Sequence, residues 1–275
     1  MRIDAHQHFW IYDSVRDAWI NDEMQILKKN FLPEDLLPVL QENNIDGCVA
    51  VQADQSLDET KFLLKLADEN NFIKGVVGWI DLRADNLEAQ LEKLSSFKKL
   101  KGFRHIVQAE EQEDFLLRDD FCKGISLLKK HGFTYDILIY PKQLKSAIQF
   151  VKRFPDQFFI VDHLAKPNIK ERKMEEWKNE IKMIAEFTNV YCKLSGMVTE
   201  ADWGNWSIID FKPYIETVLE NFGIHRVMFG SDWPVCSLAA SYQQCCEILE
   251  KNTIHFSEDE KRKLWGENVI RFYNL

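Results

Sequence analysis

The sequence predicts an α/β fold, a single-domain (β/α)8 barrel of the TIM type. Eight short apolar runs recur roughly every 25–40 residues, and longer amphipathic segments separate them. The length of 275 residues is close to that of one such barrel. No Gly/Ser-rich or Pro-rich linker divides the chain. We therefore expect one domain over residues 1–275.

Several of the eight predicted strands are nearly continuous in hydrophobicity, which is typical of parallel strands that are covered on both faces. They are residues 2–8, 45–52, 73–80, 100–107, 133–140, 157–163, 189–195 and 226–232. The segments between them show helical spacing, and Ser56 with Glu59 forms a capping-box pattern in front of the helix that begins at Leu57. We expect a last helix, from about Glu258 to Tyr273, to close the barrel.

One connection is unusually long and aromatic. Residues 9–31 follow the first strand and contain Phe9, Trp10, Tyr12 and Trp19. Loops of this length are usually functional or disordered, and so many aromatic residues argue against disorder. We expect an ordered lid packed over the mouth of the barrel.

Four polar side chains lie at predicted strand ends. His6 and His8 end the first strand, His163 ends the sixth, and Asp232 ends the eighth, with Gly230 expected to leave open space below it. His6 and His8 share a face because strand residues two apart point the same way. Parallel barrel strands bring their carboxyl ends to one mouth, where such folds hold their chemistry. The cluster suits a divalent ion such as zinc, and it equally suits metal-free catalysis with Asp232 as the base.

Other strand ends supply candidates for substrate binding. Arg104 and His105 end the fourth strand, and alternation lets only one of them point into the barrel unless the strand has already ended. A guanidinium fork at Arg104 would hold carboxylate or polyol oxygens, and His105 would assist catalysis. Gln52, Trp79 and Tyr140, near the ends of strands two, three and five, suit a hydroxyl-rich ligand. Tyr140 would donate a hydrogen bond or shield the mouth.

Composition and motifs exclude several classes of function. The formal charge of −9 disfavours nucleic acid and anionic membranes as partners. No apolar run is long enough to span a bilayer, and no signal segment precedes the first strand, so a cytoplasmic location is expected. The six cysteines form no CxxC pair and are expected to be reduced. The chain has no GxGxxG, Walker or GxSxG motif.

Seven stretches, in order along the chain, resemble the sugar-lactonase branch of the amidohydrolase superfamily. They are DAHQHFW (4–10), GVVGWIDL (75–82), GFRHIVQ (102–108), DILIYP (136–141), VDHLAKP (161–167), CKLSG (192–196) and MFGSDWP (228–234). The resemblance implies a distorted (β/α) barrel that hydrolyses lactones such as L-fuconolactone or L-rhamnonolactone.

The resemblance also implies roles for site residues. His6, His8, His163 and Asp232 match the superfamily's metal positions, which implies one divalent metal ion, with zinc as the first candidate. Binuclear members carry a bridging Lys or Glu on strand four and a His on strand five, which this chain lacks. The lactonase branch includes members that work with one metal or none, so the ion is treated as dispensable. The expected substrate is a small sugar lactone, handled by a monomer or homodimer.

Two other functions stay open at this point. A metal-dependent decarboxylase would use the same scaffold and an obligatory zinc. A catalytically silent sugar-binding barrel would keep the cavity without the reaction. The polar strand ends at Gln52, Asp81 and Gln108 favour a polyol over the acid that a decarboxylase would bind, and the complete set of three histidines and one aspartate argues against the silent barrel. In the favoured lactonase, Asp232 would activate water, and the histidine cluster or an ion would polarise the lactone carbonyl.

Overall fold

A computed structural model describes all residues from Met1 to Leu275 and confirms the predicted barrel. One sheet holds eight parallel strands in sequential order. They are β1 (Ile3–Gln7), β2 (Gly47–Val51), β3 (Ile73–Gly78), β4 (Leu100–His105), β5 (Thr134–Ile137), β6 (Phe159–Val161), β7 (Val190–Leu194) and β8 (Val227–Phe229). The segment that follows β8 lies next to β1 and completes the ring of strands. There, the amide of His8 donates a hydrogen bond to the carbonyl oxygen of Trp233 at 2.7 Å.

Helices cover the outside of the barrel and bury its apolar strands. They are α1 (Pro33–Glu42), α2 (Leu57–Glu69), α3 (Leu87–Leu94), α4 (Asp119–Leu128), α5 (Leu144–Arg153), α6 (Glu175–Ala185), α7 (Ile208–Phe222) and α8 (Tyr242–Asn252). The last helix continues through α9 (Glu258–Arg262), a π-helical turn at Lys263–Glu267 and α10 (Asn268–Tyr273). None of these helices combines the length and apolar character that crossing a bilayer requires.

Several strands are shorter than predicted, and this matters for the site. The sixth strand was predicted to run to His163 but ends at Val161, and the eighth was predicted to run to Asp232 but ends at Phe229. The side chains of His163 and Asp232 are therefore aimed by turns rather than by strand alternation. Both residues have left-handed backbone, with φ of 53° and 59°.

The capping-box expectation is half right. The hydroxyl of Ser56 accepts from the amide of Glu59 at 3.1 Å, but the carboxyl of Glu59 accepts from the amide of Ala53 instead of that of Ser56. All six cysteines are free thiols.

The long segment 9–31 packs against the loop after β8. Trp10 and Phe31 pair through both of their backbone hydrogen bonds, at 2.9 and 3.0 Å. The Phe31 ring meets the Trp233 ring edge-on at 5.3 Å between centroids. Phe9 and Trp10 are buried, whereas Trp19 is half exposed. These contacts place the segment beside the mouth, and its role as a lid stays a prediction.

Candidate active site

Three of the predicted residues face one another at the carboxyl end of the barrel. Nε2 of His6 lies 3.2 Å from Nε2 of His8, and Oδ1 of Asp232 lies 3.3 Å from the same atom of His8. Potential ligand atoms of these three side chains all lie within 4.8 Å of one another. Nδ1 of His8 is 2.7 Å from the carbonyl oxygen of Val51. A carbonyl oxygen only accepts hydrogen bonds, so Nδ1 of His8 carries a hydrogen and the ring turns its Nε2 toward the cluster.

His163 reaches the cluster from the turn after β6. Its Nε2 lies 3.8 Å from Oδ1 of Asp232, and its Nδ1 lies 2.8 Å from the hydroxyl of Ser195. Gly196 follows with φ of 60°, and a Cβ there would lie 2.5 Å from Nδ1 of His163. A glycine is thus required both by the backbone and by the close approach of the imidazole.

The expected role of Gly230 is wrong. A Cβ at Gly230 would lie 2.7 Å from the Cβ of His6. The absence of a side chain at Gly230 therefore makes room for His6. It does not leave open space below Asp232. Asp232 is anchored separately, because its amide donates to the carbonyl oxygen of His6 at 2.8 Å.

Arg104 is the member of the Arg104/His105 pair that points into the barrel. Its Nη1 lies 3.1 Å from Oδ2 of Asp162 and 3.2 Å from Nε2 of His6. Its Nη2 donates to the carbonyl oxygen of Gln52, and the Gln52 side chain donates back to the carbonyl oxygen of Arg104. These bonds hold the guanidinium directly beside the histidine cluster.

The electrostatic environment keeps the site carboxylate charged and the rings of His6 and His163 neutral. Burial alone would raise the pKa of Asp232, but His163, His8 and the ammonium of Lys166 stabilise the carboxylate and hold its pKa below the usual value. Burial lowers the pKa of His6 and of His163 well below the usual range of a histidine. The arrangement therefore offers a carboxylate base beside neutral hydrogen-bonding rings.

A cavity of about 1140 Å³ lies between the loops after β5, β6 and β7. Its wall includes Tyr140, Lys166, Glu200 and Trp203, but none of the four cluster residues lines it. The ammonium of Lys166 lies 3.5 Å from Oε1 of Glu200 and 5.5 Å from the centre of the Tyr140 ring, and its charge also acts on the Asp232 carboxylate. Most of the lining residues are polar or charged, which suits a ligand rich in hydroxyl groups.

Comparison with known proteins assigns the chain to a family. Residues 3–275 match the amidohydrolase family model. The chain belongs to the amidohydrolase family. Two L-fucono-1,5-lactonases, from Burkholderia multivorans and Burkholderia ambifaria, are 37% and 31% identical to it; each alignment spans 100% of this chain and 96% of the relative. A crystal structure of a Burkholderia multivorans amidohydrolase with bound zinc is 38% identical, with a TM-score of 0.96 over 100% of this chain and 99% of that one.

Two predicted residues of this amidohydrolase lie apart from the cluster. His105 stacks on Phe115, with ring centroids 4.9 Å apart, and its Nε2 is 2.7 Å from Oε1 of Glu110. Trp79 donates from its indole nitrogen to Nδ1 of His105 at 3.3 Å. Strand alternation turns His105 away from the barrel interior because Arg104 occupies it. The geometry thus gives no support to a catalytic role for His105, and substrate binding by the partly exposed Trp79 stays a prediction.

Sequence reasoning missed a buried ionic group below the histidines. The ammonium of Lys193 lies 2.6 Å from Oδ2 of Asp136 and 2.9 Å from Oδ1 of Asp162. The hydroxyl of Tyr273 donates to Asp136 from the last helix at 2.7 Å. All four residues are buried. A signal was present: three charged residues interrupt otherwise apolar strands, and such interruptions mark a polar barrel interior.

Proposed function

We propose that this amidohydrolase hydrolyses a sugar-derived lactone to the aldonic acid, with Asp232 as the general base. The proposal depends on one observation: His8 and His163 approach the buried Asp232 carboxylate to 3.3 and 3.8 Å. The full-length similarity to two L-fucono-1,5-lactonases supports the reaction class. L-fuconolactone and L-rhamnonolactone are the first candidate substrates.

Asp232 would handle the proton in both halves of the reaction. The carboxylate takes a proton from a water molecule as the water oxygen attacks the carbonyl carbon of the lactone. The tetrahedral intermediate then expels the ring oxygen, and Asp232 returns the proton to that oxygen. One water is consumed and the ring opens. The lowered pKa of Asp232 keeps it in the required ionised form at neutral pH.

His163 is the imidazole best placed to polarise the carbonyl. The hydroxyl of Ser195, 2.8 Å from Nδ1 of His163, can donate to that nitrogen. The ring hydrogen then stands on Nε2, on the side of Asp232, where it can donate to the carbonyl oxygen as negative charge develops. His6 and His8 are already engaged with each other at 3.2 Å.

The cavity wall would hold the sugar ring. Tyr140 is 38% exposed at the rim, and its hydroxyl is free to donate to a sugar oxygen. Lys166 and Glu200, which form an ion pair in this wall, would bind vicinal hydroxyl groups. Gln52 is buried beside Arg104 and does not line this cavity, and its side-chain oxygen, which has no hydrogen-bond partner, would accept from a ligand hydroxyl that reaches the barrel interior. Arg104 would place its charge near the carboxylate that forms.

The donor set also fits one divalent metal ion. His6, His8 and Asp232 would hold it, with His163 adjacent, and nitrogen and carboxylate oxygen are ligands that zinc prefers. When bound, such an ion would supply Lewis-acid polarisation of a carbonyl. The zinc-bound structure of the similar Burkholderia protein favours zinc as the candidate.

The competing functions are less well supported. A decarboxylase would be expected to bind an unsaturated or aromatic acid, whereas most residues that line this cavity are polar or charged. A silent sugar-binding barrel would have no need of a buried carboxylate base among neutral imidazoles.

A substrate panel tests the proposal. Aldonolactones with different methyl and hydroxyl placement are offered to metal-analysed protein, with and without chelator, and acid release is followed with a pH indicator. Aromatic acids are tested in parallel for release of carbon dioxide. We expect hydrolysis of at least one aldonolactone and no decarboxylation. Decarboxylation alone would establish the rival enzyme, and sugar binding without either reaction would establish the silent barrel.

A further inference from the structure

The rim of the barrel carries a tryptophan that the proposed hydrolytic steps do not use. Trp79 directly follows β3, at the carboxyl end of the barrel. The register of β3 with β4 places Trp79 level with Arg104, whose guanidinium points into the barrel. The Trp79 side chain is partly exposed, so part of its indole surface is open to a ligand at this end of the barrel.

The backbone of Trp79 is held by Thr60 of helix α2. The Thr60 hydroxyl donates to the carbonyl oxygen of Trp79 and accepts from its amide, both at 2.7 Å. A Cβ at Gly78 would lie 2.6 Å from Cγ2 of Thr60, so this close approach depends on a glycine there. The root of the tryptophan side chain is therefore fixed.

The far end of the indole is held by His105. An indole N–H only donates, so Nε1 of Trp79 donates to Nδ1 of His105 at 3.3 Å. A neutral imidazole with a bare Nδ1 carries its hydrogen on Nε2, and this nitrogen lies 2.7 Å from Oε1 of Glu110. Burial lowers the pKa of His105, which favours the neutral ring. The two bonds thus run in one direction, from Trp79 to His105 and from His105 to Glu110.

The His105 ring is itself locked in place. It stacks on Phe115 with an interplanar angle of 7°, and Phe121 meets it at 5.8 Å between ring centroids. A buried histidine needs a partner for each of its nitrogens, and any core group could serve. Here one partner is an indole that keeps part of its surface exposed, which points to a role in holding that surface.

We propose that Trp79 is a stacking platform for the apolar face of the lactone ring, and that His105 is a positioning residue that fixes its indole. A sugar ring carries C–H groups that pack on an aromatic face, and a ring held in advance loses less freedom on binding. The platform lies on a different side of the mouth from the cavity wall after β5, β6 and β7. The inference deepens the proposed lactone hydrolysis and rests on it for the kind of ligand.

Steady-state kinetics of Trp79→Leu test the platform. Stacking would hold the ring equally in the ground state and the transition state, so we expect KM to rise about tenfold while kcat stays within about twofold. Trp265→Leu is the control, since Trp265 packs against Arg2 at the start of the first strand. Its KM is expected to equal the native value. An unchanged KM for Trp79→Leu would overturn the proposal.

Two substitutions of His105 separate positioning from a structural role. His105→Phe keeps a ring on Phe115 but removes the acceptor, so we expect KM to rise about fivefold. His105→Asn loses the stacking, but its amide oxygen can accept from the indole and should restore most of the native KM. We therefore expect the less stable variant to have the lower KM. If KM is native in both variants, or follows the unfolding temperature, His105 has no positioning role.

A binding measurement needs no turnover. L-fucose has a sugar ring but no lactone to hydrolyse, and the indole N–H resonance of Trp79 is the one missing from the NMR spectrum of Trp79→Leu. We expect L-fucose to shift this resonance in the native protein, and an unmoved resonance would overturn the platform. A shift without turnover of any lactone would contradict the proposed function alone. Turnover with a native KM in Trp79→Leu would contradict the platform alone.

Discussion

His163 and Asp232 face each other with Nε2 3.8 Å from Oδ1, and both side chains leave the backbone from left-handed conformations. The left-handed run continues from His163 through Lys166. Residues other than glycine are disfavoured there by about 1–2 kcal/mol each, and such strain persists where the surroundings enforce it, often at functional sites. The backbone thus directs both groups toward one point.

Replacing the residue that orients His163 tests its role in polarising the carbonyl. Ser195→Ala removes the hydroxyl at Nδ1 and is expected to lower kcat about tenfold with little effect on KM. His163→Asn should lower kcat by about 10²-fold or more. Because both act through one imidazole, the double variant should be no slower than His163→Asn. Steady-state kinetics of the three variants provide the check, and multiplicative losses would show that Ser195 acts separately.

The pH dependence of kcat/KM reports the state of Asp232. Only the carboxylate accepts a proton, so activity is present above its pKa and is lost as pH falls through it. That pKa lies below the usual 3.8, so the acid limb should also lie below this value. The rings of His6 and His163 stay neutral and add no limb near 6.5. Stopped-flow pH jumps in the presence of chelator measure the rate profile before the protein unfolds in acid. An acid limb near pH 6.5 would contradict the predicted role of Asp232.

Lys166→Met tests the cavity wall. The loss of a charged hydrogen-bond donor to the sugar is expected to raise KM about tenfold. Since this ammonium also helps to lower the pKa of Asp232, its removal should move the acid limb of the rate profile to higher pH. Lys178→Met, an exposed lysine on α6 that does not line the cavity, is the control for both measurements. An unchanged KM together with an unmoved acid limb would place Lys166 outside the site.

Buried Glu59 predicts a pH-dependent stability. Burial raises its pKa from the usual 4.5 to about 7. The unfolded chain therefore releases a proton that the folded protein keeps, and the free energy of unfolding falls as pH rises through this window. Glu59→Gln should remove about 2 kcal/mol of that decline between pH 5 and pH 7.5, measured by urea unfolding. Glu69→Gln, exposed on the same helix, should behave like the native protein.

The sequence was sufficient for the barrel because its strands are apolar on both faces and recur at regular intervals. The alternating direction of side chains along a strand correctly predicted that His6 and His8 share one face. The same rule allowed only one of Arg104 and His105 to point into the barrel. It could not decide between those two, because the end of β4 was not fixed by any sequence signal. The structure resolves this with Arg104 inside, bound to Asp162.

The rest of the site depends on geometry that local patterns do not encode. His163 and Asp232 lie beyond their strands, so left-handed turns aim them and strand parity does not. The contact of Lys193 with Asp136 joins strands β7 and β5, and Tyr273 reaches the same carboxylate from α10. Such pairings between distant segments depend on barrel closure.

Asp232→Asn tests the central claim most directly. Its kcat is measured on whichever aldonolactone the native protein hydrolyses, and Asp156→Asn, an exposed residue before β6, is the control. With the general base removed and the unfolding temperature retained, we expect kcat to fall by about 10²–10⁴-fold, while the control keeps native turnover. Near-native turnover by folded Asp232→Asn would contradict the account.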